Sequence, residues 1–210
     1  MTDVRLFPET DVRLFPEEEA AIGRAVDKRR REFTAVRGCA RRALARLGQP
    51  AVPIVPGTGG APQWPPGVVG SMTHCAGYAA SAVARAQDVL ALGVDAEPDE
   101  VLPHGVLDLV SIAEERAMLT ALASEAPGPC WDRLLFSAKE SVYKTWFPLT
   151  QRWLGFEEAV ISVDPDNGTF SARLLVPGPI LADHQVTEFS GRWLARSGFV
   201  LTAITVLPHS

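Results

Sequence analysis

Helical and strand-like periods come in blocks along this chain instead of alternating, and that ordering predicts an α+β architecture. Over residues 17–47, Ile22, Val26, Phe33, Val36, Ala40, Leu44 and Leu47 follow helical spacing, which predicts one amphipathic helix ended by Gly48 and Pro50. Residues 50–67 hold six prolines and four glycines, an irregular loop that carries Trp64. Two apolar stretches, 68–86 and 89–97, are parted by Gln87 and Asp88 and read as strands of an antiparallel sheet, with a helix in part of the first as the other reading. After Pro98 and Pro103, residues 112–124 return to a helical pattern. Asp132 is placed as the N-cap of a further helix that runs to Phe147 and stops at Pro148. The last sixty residues read as strands at 159–163, 169–176 and 198–207, the first two joined by a DPDNG turn. A boundary near residue 100 divides this pattern into two α+β halves, 1–100 and 101–210.

The chain has 210 residues, 47% of them hydrophobic, enough for one sizeable core or two packed lobes. No run approaches the roughly 18 apolar residues of a membrane span. The acidic start MTDVRLFPET lacks the apolar centre of a secretory signal. Cys39, Cys75 and Cys130 are odd in number, far apart and outside any CxxC pair, which argues against a disulfide framework and a zinc site. A soluble protein of a reducing, cytoplasmic compartment is expected, with no membrane partner.

Net charge is −5 but unevenly spread. Eight basic residues and one acid, Glu32, lie between Lys28 and Arg46, a net of +7 that leaves −12 for the remainder. A basic patch on an acidic chain suits a compact anion better than a long nucleic acid; a solvated helix face is the plainer reading. The octapeptide TDVRLFPE occurs twice, at 2–9 and 10–17. It is too short for a structural repeat, so the first copy is given no role.

In ALGVDAEP at 91–98, alternation puts Leu92, Val94 and Ala96 on one face of a strand and Asp95 and Glu97 on the other. Two carboxylates at a strand end suit a hard cation such as magnesium, completed by water and phosphate oxygens. For a lone DxE, a polar strand face open to water is the better reading. In RLLFSAKESVYKTW at 133–146, a helical projection makes Leu135, Ala138, Val142 and Trp146 the core stripe. Lys139 falls at its edge, and Glu140 and Lys144 lie further round. As an ordinary surface pair, Glu140 and Lys144 contribute only about 0.3–0.5 kcal/mol. A functional reading makes Glu140 a third ligand or a base, with the lysines neutralising phosphate charge as a bond breaks.

GVDAEP at 93–98 and FSAKESVYK at 136–144, in that order, together resemble the paired signature of the 4′-phosphopantetheinyl transferases. Length and GSMTHCAGYAA at 70–80 place the chain nearest the larger monomeric type, which includes surfactin-type enzymes and the enterobactin synthase component. The resemblance implies two α+β halves related by a pseudo-twofold, with coenzyme A in the cleft between them. It implies transfer of the phosphopantetheine arm of coenzyme A to a serine of an apo acyl or peptidyl carrier protein, with release of 3′,5′-ADP. Asp95, Glu97 and Glu140 would bind Mg²⁺, or Mn²⁺ in its place. Glu140, directly or through water, would take the serine proton, and Lys144 and Lys139 would stabilise the pyrophosphate. Arg29 and Arg37 would grip the 3′-phosphate, with His74 facing the nucleotide phosphates. Partner carrier proteins present an acidic helix, so a basic and apolar docking surface is expected, with residues 101–125 as the candidate. Where relatives carry a basic residue before the WP pair, this chain has Gly59, and one phosphate contact is expected to be missing. Phe136 stands where many relatives have Trp.

Two other functions share part of this pattern: a magnesium-dependent nucleotide phosphohydrolase, and a non-catalytic protein that binds coenzyme A or carrier proteins. The first leaves the THC segment unexplained. The second is disfavoured by the presence of all three acids.

Overall fold

The structure, a computed structural model, describes residues 2–6, 12–125 and 128–208. In chain order it contains β1 (Thr2–Leu6), α1 (Pro16–Ile22), α2 (Asp27–Arg46), β2 (Val68–Cys75), β3 (Tyr78–Arg85), β4 (Ala91–Pro98), α3 (Val106–Val110), α4 (Ala113–Glu125), α5 (Trp131–Thr150), β5 (Ala159–Asp164), β6 (Thr169–Leu174), β7 (Ile180–Leu181), β8 (His184–Gln185), β9 (Glu188–Arg196) and β10 (Phe199–Val206). All strand pairs are antiparallel, in sheets ordered β1-β3-β2 and β4-β10-β9-β6-β5 beside the small β7-β8 ribbon. The α+β expectation holds.

Each half lays a twenty-residue helix on one face of an antiparallel sheet. In the first, Val36, Ala40, Ala43 and Leu44 of α2 are buried with Ala79 and Val83 of β3. In the second, Leu135, Ala138, Val142 and Trp146 of α5 are at most 1% exposed and pack on Ile161, Phe170, Val200 and Ile204. Burying each large side chain of that stripe contributes about 1.5–3 kcal/mol. The repeated arrangement is what the pseudo-twofold expectation describes.

Several local expectations are corrected. The helix expected over 17–47 is two helices, because the chain turns at Gly23 and Val26 becomes the extended, exposed N-cap of α2. Asp132 lies inside the first turn of α5 instead of capping it, and its Oδ2 accepts the N–H of Leu102 at 2.9 Å. Pro148 does not stop α5. A proline in the last turn forfeits one hydrogen bond, and the helix ends at Thr150; Gln151 caps it in the left-handed region (φ 55°), with its N–H bonded to Phe147 O at 2.8 Å. Residues 68–86 form a hairpin, β2 and β3, without a helix. β9 was not foreseen, and Thr2–Leu6 of the first octapeptide copy, given no role, pairs along β3 as an edge strand.

The halves meet along β4. By backbone pairing β4 belongs to the second sheet, with Asp95 opposite Thr202 of β10, although a boundary at residue 100 assigns it to the first half. Its other edge is joined to β2 through side-chain hydroxyls: the N–H of Val94 donates to Ser71 Oγ at 3.0 Å and that of Ala96 to Thr73 Oγ1 at 3.1 Å. α5 rests directly on β4 because Gly93 has no side chain; a Cβ there would collide with the Ser141 carbonyl and the Thr145 hydroxyl.

Candidate active site

That close approach brings the two signatures together. Asp95, 5% exposed, accepts the Lys144 ammonium on Oδ1 at 2.6 Å and the Thr73 hydroxyl on the same oxygen at 3.0 Å. Lys144 Nζ also donates to Val94 O at 3.1 Å. Asp95 Oδ2 is buried and has no hydrogen-bond partner, a costly state for a carboxylate oxygen. Glu97 is paired with Arg133 at 3.1 Å. Burial first, then the Asp95 charge, pushes its carboxyl up to about 7 against the opposing pull of Arg133. Glu140 is also raised, by burial and then by Asp95, with Lys144 opposing. An acidic corner has formed with more negative character than its own cations relieve.

The basic helix supplies the opposite wall. Arg37 is 7% exposed, with its guanidinium carbon 3.3 Å from the Phe33 ring centre and its Nε donating to Ile54 O at 3.1 Å. Burial pulls it down to about 10, helped by Arg29 and Arg41 and opposed by Glu18. Arg29 Nη1 lies 3.0 Å from His74 Nε2, which is also 3.4 Å from Glu32 Oε2. Burial and then the Arg29 charge lower the His74 pKa. Arg29, Arg37, His74, Glu140 and Lys144 all line one cleft of about 760 Å³, within the range of small-molecule sites. Asp95 and Glu97 do not line it; Asp95 is tied to it by its ion pair with Lys144.

Lys139 is not brought to this cluster, which corrects its expected placement at the pyrophosphate. It is 3% exposed and turned to the opposite side of α5, where its ammonium pairs with Glu115 at 2.8 Å and donates to the carbonyls of Phe156 and Ala159. A helix position beside the core stripe can face solvent or a neighbouring element, and here α4 supplies a buried acid. Gly59 (φ 63°) sits against Phe147, whose ring would lie 2.8 Å from an added Cβ, so an aromatic ring fills the space of a side chain there. Phe136 packs at 6.2 Å from Phe156.

The sequence reading assigns no site role to Thr73 or Arg133, and marks Glu32 only as the one acid of the basic segment. Only Thr73, one residue before His74 in the THC segment, carried a usable signal. Among the described residues, no three acids, histidines or cysteines close into a metal-holding cluster. The donors individually suit a hard cation: all are carboxylates, and Asp95 Oδ2 is a buried oxygen in need of one. No helix of the described residues is long and apolar enough to cross a membrane.

Comparison with known proteins gives a consistent result. The profile of the 4′-phosphopantetheinyl transferase N-terminal domain matches residues 17–84, and that of the 4′-phosphopantetheinyl transferase superfamily matches residues 91–202. The chain is 59% identical over 201 residues to 4′-phosphopantetheinyl transferase Svp of Streptomyces mobaraensis, covering 96% of this chain and 78% of that protein. It is 50% identical over 193 residues to 4′-phosphopantetheinyl transferase PptT of Mycobacterium tuberculosis, covering 90% and 84%. Enterobactin synthase component D of Salmonella typhi is 35% identical over 190 residues, covering 87% and 75%.

Proposed function

This chain belongs to the 4′-phosphopantetheinyl transferase superfamily, and on that premise we propose that its cleft transfers the phosphopantetheine arm of coenzyme A to a serine of an apo carrier protein. The carrying observation is that one cleft has two cations, Arg29 and Arg37, beside the His74 imidazole at one wall, and Glu140 with Lys144 at the other. Arg29 and Arg37 grip the 3′-phosphate, and His74 faces the nucleotide phosphates. Glu140 accepts the proton of the carrier serine, whose oxygen bonds to the β-phosphorus. The bond from that phosphorus to the bridging oxygen breaks, and 3′,5′-ADP leaves with the electron pair. Lys144 offsets the charge gathered on the departing phosphate.

Asp95, Glu97 and Glu140 are the proposed holders of Mg²⁺. The unpartnered Asp95 Oδ2 and the raised Glu97 and Glu140 support this, since a cation relieves all three. When bound, Mg²⁺ would supply charge neutralisation at the pyrophosphate. Lys144 and Arg133 pair with Asp95 and Glu97.

For the carrier we propose the segment after β4, where Val101 is 72% and Leu109 78% exposed. Apolar groups this open suit the apolar face of a partner helix, but the basic character expected of 101–125 is not there, since Asp108, Glu114, Glu115 and Glu125 outnumber Arg116. Incubating the protein with coenzyme A, Mg²⁺ and an apo carrier protein tests the reading by mass spectrometry of the carrier. A phosphopantetheine mass gain on serine is expected; hydrolysis of coenzyme A without that gain refutes it in favour of a phosphohydrolase.

A further inference from the structure

Two buried ionic contacts repeat across the halves. Glu18, the third residue of α1, accepts the N–H of Phe15 at 2.9 Å and of Ile54 at 2.8 Å and pairs with Arg41 on α2. Glu115, the third residue of α4, accepts the N–H of Ile112 at 3.0 Å and of Ile161 at 2.8 Å and pairs with Lys139 on α5. Both acids are 0% exposed. In each half the acid reaches back over the start of a short helix, ties in a distant backbone N–H, and meets a cation on the long helix. Placing Arg41 on Lys139 also superposes the buried stripe, with Val36, Cys39, Ala40, Ala43 and Leu44 falling on Leu134, Ser137, Ala138, Ser141 and Val142, all of them buried.

This equivalence separates the two lysines of the second signature. The three N–H donors of Lys139 are matched by Glu115, Phe156 O and Ala159 O. Withdrawing the ammonium toward the cleft would strand a buried carboxylate. Glu140 and Lys144 stand about 100° and 140° round the helix from Lys139, within about 40° of each other. The pair holding Lys139 therefore sets where both of them point.

We infer that Lys139 is a positioning residue, the C-terminal counterpart of Arg41, which with Glu115 fixes the roll of α5 and presents Glu140 and Lys144 to the cleft without touching the substrate. The inference rests on the transferase reading of that cleft. A displacement of about 1 Å by a change away from the chemistry can cost roughly 10²-fold in rate.

The test compares Lys139→Met, Glu115→Gln and the double variant in the full chain. Melting temperature is measured together with steady-state transfer to an apo carrier protein, well below the lowest melting point. Each single change is expected to lower Tm by roughly 5–15 °C, with the double far from additive. Each is also expected to lower kcat by about 10- to 100-fold, with KM for coenzyme A held within about threefold. Glu18→Gln, acting on the helix that carries Arg29 and Arg37, is expected to do the reverse and raise KM more than it lowers kcat. If Lys139→Met loses transfer while Glu115→Gln keeps wild-type kcat, Lys139 touches substrate and the inference fails. Unchanged kcat in both, with coupled losses of Tm, makes the pair structural only and overturns positioning. Should Lys139→Met not fold, Glu115→Gln against Glu18→Gln decides by the split between kcat and KM. A wild-type chain without transfer overturns the transferase reading and the positioning claim with it, while the paired Tm losses still report the contact itself.

Discussion

The two sides of α5 carry ionic groups of opposite character. On the α4 side, Glu115 and Lys139 are buried, and their carboxylate and ammonium are matched by each other and by four backbone groups. On the β4 side, Asp95 keeps one oxygen without a partner, and Glu97 and Glu140 are both pushed up by burial and by the neighbouring charge of Asp95. A satisfied buried pair loses stability when either partner is removed alone, so it specifies structure. Groups held short of satisfaction lower their free energy by taking up something from outside, and such frustration gathers at functional sites. The same helix thus anchors on one side and offers itself to ligands on the other.

The largest test of this contrast is Glu140→Ala. It should remove transfer by about 10²- to 10⁴-fold in kcat while leaving the circular dichroism spectrum unchanged; wild-type-like turnover would take Glu140 out of the mechanism. Arg37→Ala probes the cleft away from the bond that breaks. It should raise KM for coenzyme A by about tenfold with a smaller change in kcat, and a large fall in kcat at unchanged KM would contradict its place at the 3′-phosphate.

The smallest effect tests the frustration itself. Glu97 has a folded pKa near 7 against about 4.5 unfolded, so the folded state binds the extra proton between those values. The contribution of Glu97 to stability then falls as pH rises from about 4.5 through about 7. In metal-free protein, Glu97→Gln should raise Tm by a few degrees at pH 8, with the gain shrinking toward pH 5. A loss of Tm at pH 8 would mean that the pair with Arg133 outweighs burial.

How far the site could be read beforehand varied by residue. Asp95, Glu97, Glu140 and Lys144 were legible because strand alternation and helical projection say which side chains share a face, and the structure puts Asp95 and Lys144 2.6 Å apart. Arg29, Arg37 and His74 came from the family resemblance and do line the same cleft. Lys139 was misplaced because a position at the edge of a core stripe is ambiguous until the neighbouring helix is known. β9 escaped notice because Phe189 and Gly191, the buried positions of EFSGRWLAR, alternate weakly with polar residues. The break at Gly23 was hidden by Val26, an apolar residue at a helical spacing that the folded chain leaves 73% exposed.

The amino-acid sequence by itself determined the α+β class, the core stripe of α5 and the two signatures, because these depend on local period and residue type. Tertiary structure alone decided that β4 completes the second sheet while hydroxyls of β2 hold its other edge, and that Lys139 serves Glu115. It also decided that the staple formed by Glu18 and Arg41 returns in the second half as Glu115 and Lys139. The physical reason is distance along the chain. Asp95 and Lys144 are 49 residues apart, and Ser137 and Thr202, bonded at 3.0 Å, are 65 apart. Periodicity says which way a side chain faces, and only packing says what it meets there.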